Sequence, residues 1–214
     1  MGFALTTREG EFVGSTDDEW SARIARHIAQ RAEGKRLIDI GCHVGNLVQA
    51  ASEIGFDAHG IDLDPVATAA GRRLGRAVEN RTLAQVNDTF DVAVLIHVLE
   101  HVQDLRSFLS HLERLLVPRG LAFIHVPHYG GLMPRLMREN WMGWVPQQHI
   151  WHFTPATLVR TVERAGSLRV VDCNTRGAIE PPSTGVKGAV KAAVSTLSRF
   201  VEWGDEIEAV FQKA

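Results

Sequence analysis

The sequence predicts an α/β domain whose parallel sheet carries helices on both faces. Three observations point there. Strand-like and helix-like segments alternate over the first 127 residues. One segment, FDVAVLI, is almost wholly apolar, as a strand covered on both faces must be. A glycine turn, in RLIDIGCHVGNL (residues 36–47), joins an apolar strand to a helical segment.

The elements follow in order. STDDEWSARIARHIAQRAEGK predicts an N-terminal helix over 15–33: Ser15 or Thr16 caps it, acids fill its first turn, and Gly34 ends it. Its Trp20, Ile24 and Ile28 form one apolar stripe. RLIDI is a short buried strand, and NLVQAASEIG a helix closed by Gly55. DAHGIDL is a second strand, and DPVATAAGRRLG a second βα helix with Pro65 in its first turn. RAVENRT is a weak third strand and FDVAVLI a strong fourth. LRSFLSHLERLLVPRG reads as a helix ended by Pro118 and Gly120, and LAFIHVP as a fifth strand.

Past this point the pattern changes. Residues 128–153 are irregular, carry Trp141, Trp144 and Trp151, and read as a lid-like insertion. TPATLVRTVERAG is a helix capped by Thr154, and SLRVVDCNTRG a strand. Residues 184–203 are amphipathic and predict a helical insertion. DEIEAVFQKA alternates apolar and polar, the pattern of a half-exposed edge strand. No linker separates a second domain, so residues 1–214 are read as one.

Composition narrows the function classes. The 214 residues are 45% hydrophobic and 22% charged with net charge −2, which gives no broad basic field for nucleic acid or anionic lipid. Cys42 and Cys173 make neither a disulfide framework nor a zinc site by themselves. The N-terminus lacks the pattern of a signal peptide, no stretch is long enough for a membrane span, and a cytoplasmic setting is expected.

The glycine turn carries the functional argument. It lets the backbone approach a ligand, and Asp62 closes the next strand 21 positions after Gly41, where a carboxylate can accept hydrogen bonds from ribose hydroxyls. A dinucleotide loop requires closely spaced glycines, G-x-G-x-x-G. This loop reads Asp39-x-Gly41-x-x-x-Gly45 instead. The acid ahead of the first glycine opposes a diphosphate and suits a cationic or ammonium-bearing ligand. An NAD-dependent oxidoreductase is disfavoured accordingly.

Here the chain resembles a known family. LIDIGCHVGNL is similar to the Asp-x-Gly-x-Gly-x-Gly motif of class I S-adenosylmethionine-dependent methyltransferases. GIDLDP, FDVAVLIHVLEHVQD and LLVPRGLAFIHVP resemble their later motifs, and QHIWHFTPATLVRTVERAG resembles the "H…Ft…l…l…aGF" segment of a small-molecule subgroup. The resemblance covers residues 17–176 and implies a Rossmann-like, seven-stranded, mostly parallel sheet with an antiparallel last strand. It also implies S-adenosylmethionine as cofactor and methyl transfer to a small-molecule acceptor, foremost at oxygen. Residue by residue, Asp39 lies near the methionine ammonium, and Gly41, Cys42, His43 and Gly45 form the cofactor loop. Asp62 holds the ribose, Leu63 packs on the adenine, and Ile96 and His97 line the methionine end. The adenine-side acid is not identifiable, with Glu79 and Asn80 as candidates.

His43 departs from the motif at its middle glycine. Its side chain turns away from the ligand, or it contacts the carboxylate of the methionine moiety, or the loop is blocked and the fold serves as a non-catalytic binding module. A nucleic-acid methyltransferase is disfavoured, because IHVLEH replaces the Asn/Asp-Pro-Pro-aromatic motif of base-methylating enzymes.

Methyl transfer to a hydroxyl needs alignment, water exclusion and a base. Of ten histidines, His97, His101, His128, His149 and His152 fall at the expected carboxyl edge of the sheet. His149, His128 and His101 are the candidates for catalysis, with His149 first. No metal is expected, since no carboxylate pair adjoins the His149-x-x-His152 motif.

Overall fold

The computed structural model describes residues 5–6, 12–13, 18–141, 143–176 and 204–214. A two-residue antiparallel pair, β1 (Leu5–Thr6) and β2 (Phe12–Val13), precedes the first helix, α1 (Asp18–Ala29), and has no counterpart in the sequence reading. Then come β3 (Arg36–Ile40), α2 (Asn46–Glu53), β4 (Asp57–Asp62), α3 (Pro65–Arg73), β5 (Val78–Asn80), β6 (Phe90–Ile96), α4 (Leu105–Leu115) and β7 (Leu116–Pro127). The chain closes with α5 (Leu132–Met137), α6 (Pro155–Ala165), β8 (Leu168–Arg176) and β9 (Glu206–Lys213).

Strands β3 to β9 form one seven-stranded sheet in the order β5-β4-β3-β6-β7-β9-β8. Strands β5, β4, β3, β6 and β7 run parallel, with Ile38 paired to Ala93 and Val94 to Phe123, and β9 runs antiparallel to both β7 and β8. The expected architecture is therefore present, but one placement differs. Strand β9 is interior, not an edge; β8 holds that edge. Its alternation reflects differing burial of its two faces, while its backbone is hydrogen-bonded on both sides and Ile207 and Phe211 are fully buried.

Each helix buries the stripe its sequence marks. α1 places Ile24 and Ile28, and α2 places Leu47 and Val48, on one face of the sheet with Leu37, Val92 and Val94. α4 buries Leu105, Leu109 and Leu112, and α6 buries Leu158 and Val162, on the other face with Ile38, Leu95 and Ile124. At roughly 25 cal/mol per Å² these apolar faces are the main favourable term in folding. Caps fix the helix starts: the Asp64 carboxylate accepts from the amides of Val66 and Ala67 ahead of Pro65, and Thr154 caps α6.

Boundaries shift in two places. α1 ends at Ala29 rather than near Gly34, and Gly34 instead lies against the Asp91 carboxylate, which accepts the Arg36 amide at 2.9 Å. α4 ends at Leu115, and the chain passes directly into β7 through Pro118 and Gly120, with a register shift against β6 between Phe90 and Val92. The expected cap at Ser15 or Thr16 and the helix over 184–203 lie outside the described residues. Among the described residues no helix is long and apolar enough to cross a membrane.

Strand order reverses between β3 and β6, and open α/β sheets bind ligands at the carboxyl side of such a point. Two turns meet there. A Cβ on Gly41 would lie 2.5 Å from Val98 Cγ2, so the turn after β3 packs tightly on the turn after β6.

Candidate active site

The turn after β3 is built from left-handed residues. Gly41 (φ 78°), His43 (φ 53°) and Gly45 (φ 79°) alternate with residues of ordinary backbone, and Gly45 caps α2. The Gly41 and Cys42 amides both donate to the Ile61 carbonyl, which pins the turn to the end of β4. His43 accepts the left-handed conformation that glycine would take freely. Its backbone N–H donates to Asp62 Oδ2 at 2.7 Å, and the other carboxylate oxygen, Oδ1, accepts the Asp64 amide at 2.8 Å.

Asp39 is the penultimate residue of β3, just before this turn, and is almost fully buried. Burial, and the negative charge of Asp62, push its carboxyl up to about 7. Neighbouring Cys42 is buried too, and the same surroundings push its thiol well above its ordinary value. Two carboxylates around a backbone turn, one strained toward neutrality, form a site that gains by receiving a cation. Leu63, 70% exposed beside Asp62, offers a flat apolar surface. The carboxylate pair fits the cationic, ribose-bearing cofactor that the motifs imply. At the end of β5, where Glu79 and Asn80 are the candidates for an adenine contact, Asn80 donates to the Asp62 carbonyl and Glu79 pairs with Arg81.

The turn after β6 carries the other half. His97 adopts φ 53°, again left-handed, and its amide donates to the His125 carbonyl. Its Nδ1 lies 3.2 Å from Glu100 Oε1 and its Nε2 3.9 Å from Glu206 Oε2, while His125 Nε2 lies 3.3 Å from the same Glu206 oxygen. Burial alone would lower His97, but the bond to Glu100 and the charge of Glu206 outweigh it and raise the imidazole above its ordinary value. Glu206 is held below the usual carboxylate range: burial opposes this, yet the bond to His125 and the charge of His97 prevail. Trp20 stacks on His125 at 6.0 Å. Neither His125 nor Glu206 stands out in the sequence. His125 sits in an apolar strand, and Glu206 opens a strand some 80 residues later; only the β7–β9 pairing brings them together. A lone histidine inside LAFIHVP was the one available signal.

His101 and His149 do come together, with ring centroids 4.8 Å apart. His101 Nδ1 donates to the Gln148 carbonyl and His149 Nδ1 to the Gly143 carbonyl, each at 2.9 Å. The Glu100 carbonyl accepts from the amides of Ile150 and Trp151, and the Trp151 indole donates to the Val102 carbonyl at 2.7 Å. The tryptophan-rich segment is thereby stitched onto the turn after β6. Tyr129, Trp144 and His152 stack beside it, with centroids 4.8–5.4 Å apart, and the first two are exposed. Trp141 is instead buried.

His128 departs from the expectation that it faces an acceptor. It is 2% exposed, and its Nδ1 donates to the Gly204 carbonyl at 2.6 Å while its amide donates to the Asp205 carbonyl. Its position after β7 made it look like an edge residue, but the first turn of the insertion folds over it through the Gly131 amide and the His128–Phe153 bridge.

Comparison with known proteins agrees with this geometry. A family model described as a methyltransferase domain matches residues 12–171. Ubiquinone biosynthesis O-methyltransferase of Methylobacterium nodulans is 32% identical over 174 residues, covering 72% of this chain and 66% of that protein. The Aeromonas salmonicida protein of the same name is 33% identical over 151 residues, covering 63% of each. The chain thus spans 63–66% of the length of these relatives. In fold, a SAM-dependent methyltransferase from Archaeoglobus fulgidus superposes with TM-score 0.67 at 20% identity, covering 94% of this chain and 95% of that one. With a family model spanning most of its length and an acid-flanked glycine turn at the switch point of the sheet, the chain belongs to the methyltransferase-domain family.

Proposed function

We propose that this protein is an S-adenosylmethionine-dependent methyltransferase acting on a small-molecule acceptor, foremost at oxygen. The observation that carries the reading is the Asp39–Asp62 carboxylate pair set around the left-handed turn after β3. The cofactor supplies, when bound, an electrophilic methyl group on a sulfonium. The chain's own residues supply the rest. Asp62 keeps its backbone donors and accepts ribose hydroxyls on its remaining lone pairs, Asp39 balances the ammonium, and Ile96 and His97 wall the methionine end.

The acceptor side is the edge formed by the turn after β6 and the segment over 128–153, read as a lid over a single domain. His101 and His149 are held by their Nδ1–H bonds in the tautomer whose Nε2 is free to accept. In a metal-free site His149 Nε2 takes the proton of an acceptor hydroxyl, and Tyr129 and Trp144 give an aromatic acceptor an apolar surface. His128, buried on Gly204, takes no part. The relatives named for O-methylation support oxygen as the methylated atom.

The reading against a non-catalytic binding module rests on His43, whose main chain keeps the turn joined to Asp62. Incubation with methyl-labelled cofactor and a panel of phenols, carboxylic acids and amines tests the activity. Label transferred to oxygen, lost in Asp62→Ala, is the expected result. Label on nitrogen alone would overturn the O-methyl assignment, and no transfer to any acceptor despite cofactor binding would favour the binding-module alternative.

A further inference from the structure

We infer that Glu100, His101 and His149 form a site for a divalent transition-metal ion that clips the tryptophan-rich segment onto the turn after β6. One ligand atom from each residue lies within 4.8 Å of the other two. Both imidazoles are already in a metal ligand's tautomer, because each Nδ1–H is spent on a backbone carbonyl and each Nε2 lone pair is free. Glu100 is 1% exposed; its Oε1 faces His97, and its Oε2 has no hydrogen-bond partner among the described residues. Two imidazoles with an open nitrogen lone pair thus cluster with a buried carboxylate that has one oxygen unbonded among the described residues. An acceptor so buried is costly to leave unmatched, and a cation matches all three at once.

The geometry suits a small ion. Bonds of about 2.1 Å to nitrogen and oxygen put ligand atoms roughly 3.4 Å apart, so the three atoms close on an ion by moving less than about 1 Å each. Two imidazoles and a carboxylate select zinc-like ions over calcium or magnesium, and three protein ligands leave a coordination position open.

The second trio, His97, His125 and Glu206, differs in kind. There His97 lies between two carboxylates and His125 Nε2 stands 3.3 Å from Glu206 Oε2, so each carboxylate already faces an imidazole nitrogen, although His125 Nδ1 and Nε2 and Glu206 Oε2 make no hydrogen bond among the described residues.

Position gives the ion its role. Gln148, Ile150 and Trp151 already bond to His101, Glu100 and Val102. An ion joining His149 to Glu100 and His101 would lock residues 143–151 against the sheet edge. The inference does not depend on the cofactor reading, and its test uses no cofactor; an ion held by His149 Nε2 would replace the base role proposed for that nitrogen.

The test is titration of the EDTA-stripped full chain with Zn²⁺ by calorimetry and with Co²⁺ by visible absorption. The expected result is one equivalent with the ligand-field bands of a nitrogen-oxygen site, together with slower proteolysis within residues 143–151. His101→Ala and His149→Ala are expected to weaken binding at least tenfold, while His125→Ala and His152→Ala leave it unchanged. Should an alanine variant fail to fold by circular dichroism, His149→Gln replaces it. Equal affinity in the wild type and the His149 variant, binding lost only in His125→Ala, or no stoichiometric Zn²⁺ uptake would each overturn the assignment.

Discussion

The His43 backbone amide donates to the Asp62 carboxylate at 2.7 Å, so the bulkiest residue of the glycine turn is tied down by its main chain. Asp62 and the turn are thereby one unit. Its left-handed φ of 53° carries strain that glycine would not, on the order of 1 kcal/mol. His43→Gly is expected to change stability by no more than about 1 kcal/mol, with cofactor affinity retained. Thermal unfolding with and without S-adenosylhomocysteine checks this. A large loss of affinity would show that the imidazole itself contacts the ligand.

Asp39 gives a pH dependence with a definite sign. Its carboxyl is raised from 3.8 to about 7 in the fold, so the folded state holds the proton more tightly than the unfolded chain. Its contribution to stability is complete below about pH 3.8 and is lost as pH rises toward 7. Asp39→Asn is therefore expected to stabilise the cofactor-free protein at pH 8 by roughly 1–3 kcal/mol, seen as a higher midpoint in urea. A cationic ligand selects the ionised carboxylate, so affinity of the wild type should climb as pH passes through about 7. Affinity flat across that window, or falling, would contradict the role given to Asp39.

Gly41 is constrained twice, by φ 78° and by Val98 Cγ2 at 2.5 Å from any added Cβ. Gly41→Ala is expected to destabilise the fold by roughly 2–4 kcal/mol, the sum of left-handed strain and overpacking. At this chain length that lowers the melting temperature by several degrees. An unchanged melting temperature would mean that the two turns separate readily.

His128 and His149 should part company under mutation. His128→Ala removes a buried ring and leaves the Gly204 carbonyl without its donor, an expected loss of about 2–4 kcal/mol with cofactor affinity unchanged. His149→Ala is expected to change stability in the absence of metal by less than about 1.5 kcal/mol. Denaturant midpoints compare the two. Equal costs would argue that both are structural.

Much of this was legible because local rules agree with the fold. The apolar stripe of α4, the Asp64-Pro65 start of α3 and the spacing from Gly41 to Asp62 each state their structure in a few consecutive residues. What stayed hidden depends on pairing across the chain. Strand β9 alternates like an edge, yet lies between β7 and β8 because the chain returns antiparallel after a long excursion. The same return carries Glu206 to His125. His101 and His149, 48 positions apart in sequence, meet only because the segment before α6 folds back on Glu100. His128 misled because its position after β7 gave no sign of the Gly204 carbonyl that closes over it.

The central claim is that the turn at Asp39–Gly45 and Asp62 holds a sulfonium-type nucleoside. Calorimetric titration with S-adenosylhomocysteine, with NADH in parallel, tests it most directly. The account predicts micromolar binding of the first ligand only, reduced at least tenfold in Asp62→Ala. Binding of NADH instead, or no binding of S-adenosylhomocysteine to either wild type or His43→Gly, would contradict it.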